Sequence, residues 1–102
     1  MHSASRSYQD QLLQDLKNPE EAVAYLNAAL AEEDTALFLK ALRNVAEAHG
    51  MKHLAQEASL NREAMYRMLS EQGNPQLSSL TAILESLGFR LAVEVKDSSV
   101  AV

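Results

Sequence analysis

The chain has 102 residues, of which 47% are hydrophobic and 23% charged, and its formal net charge is −5 at pH 7. This length is typical of one globular domain and argues against a two-domain enzyme. The absence of cysteine excludes disulfides, thiolate metal sites and a cysteine nucleophile. The sequence offers neither an apolar run of about 20 residues that could span a membrane nor the apolar region of a secretion signal. We therefore expect one soluble, cytoplasmic domain, residues 1–102, with no membrane partner.

The acidic charge is confined to the first third of the chain. Residues 1–34 contain two basic and seven acidic residues, whereas residues 35–102 contain seven of each. A negative net charge argues against a nucleic-acid partner, because attraction to phosphate supplies most non-specific affinity. That argument does not apply to residues 50–70, which contain three basic and two acidic residues.

Residues 8–34 predict two acidic N-terminal helices. Tyr8 to Leu16 carry apolar residues at helical spacing, which predicts a short first helix. Asn18 and Pro19 then start a second helix, since asparagine is a favoured N-cap and proline fits the first helical position. The predicted buried face of this second helix comprises Ala22, Val23, Leu26, Ala29 and Leu30.

Residues 35–88 predict four further helices. Asp34 caps a helix over residues 35–49, and Gly50 ends it. Two short helices follow over residues 51–58 and 62–70. After a break at residues 73–75, a helix over residues 77–87 with Leu77 on its inner face ends at Gly88. The predicted architecture is therefore all-α, with five to six helices.

After Gly88 the apolar period changes from 3.6 to 2, which predicts one β-strand over residues 89–95. The chain offers no second strand, so we expect the strand to pair with its counterpart in a second copy. An antiparallel pair centred near Ala92 would place Arg90 opposite Glu94 of the second copy. Residues 96–102 form a frayed tail. The predicted dimerisation strand comprises Phe89, Arg90, Leu91, Ala92, Val93, Glu94 and Val95.

The segment from Lys52 to Leu69 carries the clearest functional signal. Its two short helices and the turn at Ser59 and Leu60 have the pattern of a helix-turn-helix, whose second helix enters the major groove of DNA. The outward face of the second helix carries arginines that can reach guanine edges or phosphates, and an aromatic ring between them. The residues predicted to contact DNA are Lys52, His53, Asn61, Arg62, Glu63, Tyr66, Arg67 and Ser70.

Other chemistry is not indicated. His49 and His53 have the i, i+4 spacing of two metal ligands on a helix, but Gly50 lies between them and no third ligand is apparent. The three glycines form no phosphate-binding loop, and no serine lies in a glycine-flanked nucleophile motif. We expect neither an enzyme nor a protein that binds a metal or cofactor.

The helix-turn-helix segment is part of a longer pattern. Residues 42–87, with Leu54-Ala55, Asn61, Gly73-Asn74-Pro75 and Leu87-Gly88, resemble the Cro/repressor (Xre) type of DNA-binding domain. Residues 15–30 and 38–46 look like the probable addiction-module antidote family of bacterial antitoxins, so that the resemblance covers about residues 8–95. It implies an antitoxin that binds a small basic toxin of the RelE/ParE type and represses its own operon as a homodimer on a palindromic operator.

Two positions depart from the family pattern. Ser59 occupies the turn position at which the family usually has glycine. Met51 occupies the position at which many members have a glutamine that contacts a DNA phosphate. Two alternatives therefore stay open: a stand-alone repressor without a toxin, and a protein-interaction module whose helix-turn-helix no longer binds DNA. The acidic residues are either a solvated face or a docking surface for a basic protein. The resemblance favours a docking surface, which comprises Glu20, Glu21, Tyr25, Glu32 and Glu33.

Overall fold

The computed structural model describes residues 4–96, and its regular secondary structure is entirely helical, which confirms the predicted all-α class. None of the helices in this range combines the length and apolar character that a membrane crossing requires. Six helices follow one another: α1 (Ala4–Asp15), α2 (Pro19–Ala31), α3 (Thr35–His49), α4 (Met51–Glu57), α5 (Arg62–Met68) and α6 (Leu77–Ser86).

The predicted caps are present at the starts of α2 and α3. Asn18 Oδ1 accepts hydrogen bonds from the backbone N–H groups of Glu20 and Glu21, at 2.9 and 3.1 Å. Asp34 Oδ1 accepts one from the N–H of Leu37 at 3.2 Å. Such bonds satisfy amides that have no partner within the first helical turn. These local interactions explain why both helices begin where the sequence predicts.

Helix α3 is the central element of the fold. It packs against α1, α2 and α4, and α4 packs in turn against α5 and α6. Gly50 permits this arrangement, because its φ of 110° lets the chain turn and begin α4 directly after α3. The hydrophobic core therefore extends from α3 to α4, α5 and α6. Its largest fully buried side chains are Leu39, Leu42, Leu54, Met65, Leu69 and Ile83.

Three residues predicted to face the core are exposed. Val23, Leu30 and Leu77 are 39%, 51% and 67% exposed. Leu77 is the first residue of α6, where no preceding turn of the helix helps to cover it. Val23 and Leu30 lie beside the buried stripe of α2. This stripe consists of Ala22, Leu26 and Ala29 and is narrower than predicted.

The predicted β-strand over residues 89–95 is not present in the described chain, and nothing in this single copy shows the predicted pairing across a dimer. Within residues 4–96 there is no strand of any kind, so this segment has no neighbour with which to form a ladder. Phe89 is half-buried against the core, whereas Leu91, Val93 and Val95 are 45%, 99% and 87% exposed. The segment passes near α2, since Lys96 Nζ lies 3.4 Å from Glu33 Oε2. Of the predicted tail, residues 97–102 lie outside the described range.

Candidate nucleic-acid interface

The chain reverses between α4 and α5 in a tight turn at Ser59. The N–H of Leu60 donates to the carbonyl of Ala55 at 2.8 Å, and the N–H of Ser59 donates to that of Gln56 at 3.2 Å. This is the Schellman pattern, whose central residue takes the left-handed conformation. Ser59 adopts it with φ of 57°, at a cost of about 1 kcal/mol for a residue with a Cβ atom. The serine thus forms a turn for which the resemblance led us to expect glycine.

Helix α5 presents one polar face to solvent. Asn61 Oδ1 caps the helix by accepting from the N–H groups of Glu63 and Ala64, at 2.7 and 3.2 Å. Met65 is fully buried, which fixes the rotation of α5 against the core. As a result Arg62, Glu63 and Arg67 all point into solvent, as predicted. Asn61 itself is fully explained by its capping role.

Two guanidinium groups lie over the ring of Tyr66. Arg62 Cζ is 5.9 Å from the ring centroid, and Arg43 Cζ, from α3, is 5.2 Å from it. Both distances are within the range of a cation–π interaction. We call Arg43, Arg62, Tyr66 and Arg67 the basic face. Sequence reasoning missed Arg43, because nothing in the local pattern of α3 relates it to a tyrosine 23 residues further on.

The other residues predicted to contact DNA differ in their exposure and in their contacts. Ser70 is half-buried, and its hydroxyl donates to the Arg67 carbonyl at 2.9 Å. Lys52 is exposed at the start of α4. His53 Nε2 instead lies 3.5 Å from Glu57 Oε2. Met51 is only 5% exposed, so the first residue of α4 joins the core and offers no polar group to a phosphate.

The structure gives Tyr25 a role within the fold. Its hydroxyl accepts a hydrogen bond from Asn44 Nδ2 at 2.9 Å, and Asn44 Oδ1 accepts one from Gln9 Nε2 at 3.3 Å. Asn44 is a buried polar residue of α3, only 8% exposed. A buried amide requires such partners. This network, which joins α1, α2 and α3, was not apparent from the sequence.

The acidic residues predicted to bind a toxin do not form one patch. Glu20 and Glu21 lie in the first turn of α2, whereas Glu32 and Glu33 follow its last residue, a separation of about 18 Å along the helix. All four are exposed. Near Glu32 a groove opens between α1, α2 and α3, and we call it the N-terminal groove; its lining includes Tyr8, Leu12, Tyr25, Glu32, Leu37 and Lys40.

Comparison with known proteins gives this helical domain a family. The family described as "Probable addiction module antidote protein" matches residues 8–95. The chain therefore belongs to that family, which confirms the resemblance of its sequence to the addiction-module antidotes. A Haemophilus influenzae protein described as uncharacterized is 34% identical over 79 residues, which cover 78% of this chain and 81% of the relative. No solved structure matches the chain. Membership in an antidote family implies an antitoxin role and a toxin as partner.

Proposed function

We propose that this antitoxin binds operator DNA through α4 and α5, which act as a helix-turn-helix with α5 in the major groove. The observation that carries the proposal is the basic face, in which the guanidinium groups of Arg43 and Arg62 lie over the ring of Tyr66 on α5. Arginine recognises guanine edges and phosphates through fixed, paired donors. Stacking on the tyrosine limits the conformations of the two guanidinium groups before DNA arrives, which lowers the entropy lost on binding.

Replacement of Arg62 and Arg67 tests this assignment. Both are exposed, so Arg62→Ala with Arg67→Ala should leave folding intact. Each lost base or phosphate contact costs about 1–3 kcal/mol, so the double variant should bind the promoter DNA of its own operon at least about 30-fold more weakly. Fluorescence anisotropy with a labelled promoter duplex measures the change. The matched control is Lys17→Ala with Lys40→Ala, which removes two exposed positive charges from elsewhere on the surface.

The outcome also separates the alternative functions. Binding that falls steeply with salt in the unaltered protein indicates phosphate contacts. An equal loss in the arginine and lysine double variants would contradict the assigned face. No binding of the promoter at low salt would contradict DNA binding altogether and favour a protein-interaction module, as the burial of Met51 permits.

We further propose that two copies pair through residues 89–95 and thereby address the two half-sites of a palindrome. The support is the unusual exposure of Leu91, Val93 and Val95, because solvent-exposed aliphatic residues in sequence favour burial against a partner. The half-sites would lie about 34 Å apart, one turn of DNA. Autorepression follows when the occupied operator overlaps the promoter.

A charge exchange tests the proposed register. In an antiparallel pair centred on Ala92, each Arg90 faces a Glu94 of the second copy, so Arg90→Glu should weaken the dimer about two- to thirtyfold, given about 0.2–1 kcal/mol for each of the two pairs. Arg90→Glu combined with Glu94→Arg should restore it. Light scattering across a dilution series measures the dissociation constant. A monomeric unaltered protein, or no rescue by the double exchange, would contradict the pairing.

We propose that the toxin is a small basic protein of the RelE/ParE type and that it docks on α1 and α2. Two features support this surface: the acidic charge of residues 1–34, and the exposure of Tyr8 and Leu37, at 71% and 40%, in the N-terminal groove. Apolar side chains beside charged ones are typical of the core and rim of a protein interface. Opposite charge on the toxin would accelerate and orient association.

Paired glutamine variants locate the toxin on α2. Glu32→Gln with Glu33→Gln alters the end near the N-terminal groove, and Glu20→Gln with Glu21→Gln alters the other end as the matched control. The first pair should slow association with the product of the adjacent gene about tenfold at low salt, and the second should change it less. Co-purification and surface plasmon resonance provide the measurement. Operator binding without any co-purifying neighbour would contradict the antitoxin role and favour a stand-alone repressor.

A further inference from the structure

Three side chains that can bind metal converge at the junction of α3 and α4. His49 is the last residue of α3, and His53 and Glu57 lie on α4. His49 Nε2 is 3.3 Å from Glu57 Oε1, and His53 Nε2 is 3.5 Å from Glu57 Oε2. One potential ligand atom from each side chain lies within 4.8 Å of the others. Glu57 is therefore the third potential ligand, which the spacing of the two histidines did not reveal.

The backbone at Gly50 brings these residues together. His49, His53 and Glu57 follow one another at intervals of four positions, a spacing that places side chains on one face of a continuous helix. Here the helix is interrupted, yet α4 begins immediately because Gly50 takes φ of 110°. The two imidazole rings remain stacked, with centroids 5.7 Å apart and planes at 23°. Although Gly50 interrupts the helix, the three side chains therefore still share one face.

The donor set selects a class of metal. Two imidazoles and one carboxylate suit Zn²⁺ and similar divalent transition metals, whereas Mg²⁺ and Ca²⁺ prefer oxygen ligands throughout. In a tetrahedral site with bonds of about 2.0–2.1 Å, neighbouring ligand atoms lie about 3.3 Å apart. The two measured histidine-to-glutamate separations, 3.3 and 3.5 Å, are close to this value and end on the two different oxygens of Glu57. Binding of one ion therefore requires the Glu57 carboxylate and the two imidazoles to turn toward a common point, starting from ligand atoms within 4.8 Å of one another.

We propose that His49, His53 and Glu57 bind one divalent transition-metal ion, with Zn²⁺ as the representative of the class. Their side chains are 33%, 65% and 42% exposed, so an ion reaches them directly and water completes its coordination. Because the site joins the end of α3 to α4, the bound ion adds a link between two helices that are otherwise joined by Gly50 and by apolar packing. The folded chain then binds the ion more tightly than the unfolded chain does, and the ion stabilises the fold. This proposal does not depend on DNA or toxin binding.

Titration of the full-length, untagged chain with Zn²⁺ tests the site. Calorimetry should give one ion per chain, and the thermal midpoint should rise by about 5 °C or more at a tenfold excess over the dissociation constant. Co²⁺ should produce visible d–d absorption bands on binding, and Mg²⁺ at equal concentration should produce no thermal shift. Absence of the Co²⁺ bands, or an equal shift with Mg²⁺, would overturn the proposal.

Substitutions assign the ligands. His53→Ala and Glu57→Gln replace exposed side chains and should each weaken Zn²⁺ binding by more than about tenfold, since even groups that only support a ligand are worth about 10–100-fold. The matched controls are His2→Ala, at a histidine outside the described residues, and Glu47→Gln, at a carboxylate that lies 3.8 Å from Arg43 instead. Both controls should retain full affinity. Equal losses in the controls and in the ligand variants would contradict this site.

Discussion

Helices α1 and α2 differ from α4 and α5 in charge and in the way each pair is held to the central helix. The N-terminal pair is acidic and is joined to α3 through the buried hydrogen bonds of Asn44. The second pair is fixed by apolar packing and backbone caps, and carries basic side chains outside. Arg43 and Asn44 are consecutive on α3, yet Arg43 contacts Tyr66 of α5 and Asn44 contacts Tyr25 of α2. One helix therefore supports two surfaces that should be alterable separately.

The largest loss of stability should come from substitution of Gly73, which follows α5 in the chain. A Cβ atom there would overlap the Met68 carbonyl, and backbone atoms cannot move aside as a flexible side chain can. Gly73→Ala should therefore lower the free energy of unfolding by about 3 kcal/mol. Urea denaturation followed by circular dichroism measures it. The matched control is Gly88→Ala, where no atom is near and only a positive φ of 89° is strained; a cost at Gly73 no greater than this would contradict the prediction.

On the N-terminal side, Asn44→Ala should lower the free energy of unfolding by about 2 kcal/mol, because it leaves two hydrogen-bonding side chains without their partner. Tyr25→Phe removes only one hydroxyl and should cost about 1 kcal/mol. Promoter affinity of the folded protein should not change in either variant. A large loss of DNA binding in Asn44→Ala would show that the two surfaces are not separable.

Replacement of Arg43, the residue before Asn44, should weaken DNA binding more than it lowers stability. Arg43→Ala removes one cation–π contact, so it should lower the free energy of unfolding by no more than about 1 kcal/mol and weaken promoter binding about fivefold, with toxin binding unchanged. Lys40→Ala, on the same helix but in the lining of the N-terminal groove, is its control and should leave DNA binding intact. The hypothesis fails if Arg43→Ala impairs toxin binding and spares the promoter.

The smallest effect concerns the turn between α4 and α5. The turn after α6 has the same hydrogen-bond pattern but uses Gly88, whose neighbour Phe89 donates to the Leu84 carbonyl at 2.8 Å. Ser59→Gly should relieve the left-handed strain and stabilise the protein by about 0.5 kcal/mol, which raises the thermal midpoint by about 2–4 °C. Ser79→Gly, inside α6, should lower the midpoint by a similar amount. A midpoint that falls in both variants would contradict the argument.

Local signals predicted most of the fold. The caps at Asn18, Asp34 and Asn61 depend on neighbouring residues alone, so the sequence located the starts of three helices. The contact of Arg43 with Tyr66 depends on how distant helices pack, and no local pattern contains that information. Alternation of apolar residues in 89–95 indicated a strand, but a strand requires a neighbour that the described chain does not provide. The part of the candidate nucleic-acid interface on α5 was thus predicted from the sequence, whereas Arg43 on α3 was missed.

The position of Tyr66 has a consequence for spectroscopy. The chain contains three tyrosines and no tryptophan, so tyrosine emission is not masked. Tyr8 and Tyr25 lie on α1 and α2, and Tyr66 alone lies on α5. A chain with Tyr8→Phe and Tyr25→Phe retains a single fluorophore, over which two guanidinium groups lie. Its emission reports on contacts at α5 without an added label. A second chain, with Tyr25→Phe and Tyr66→Phe, retains Tyr8 and provides the corresponding signal for the N-terminal groove.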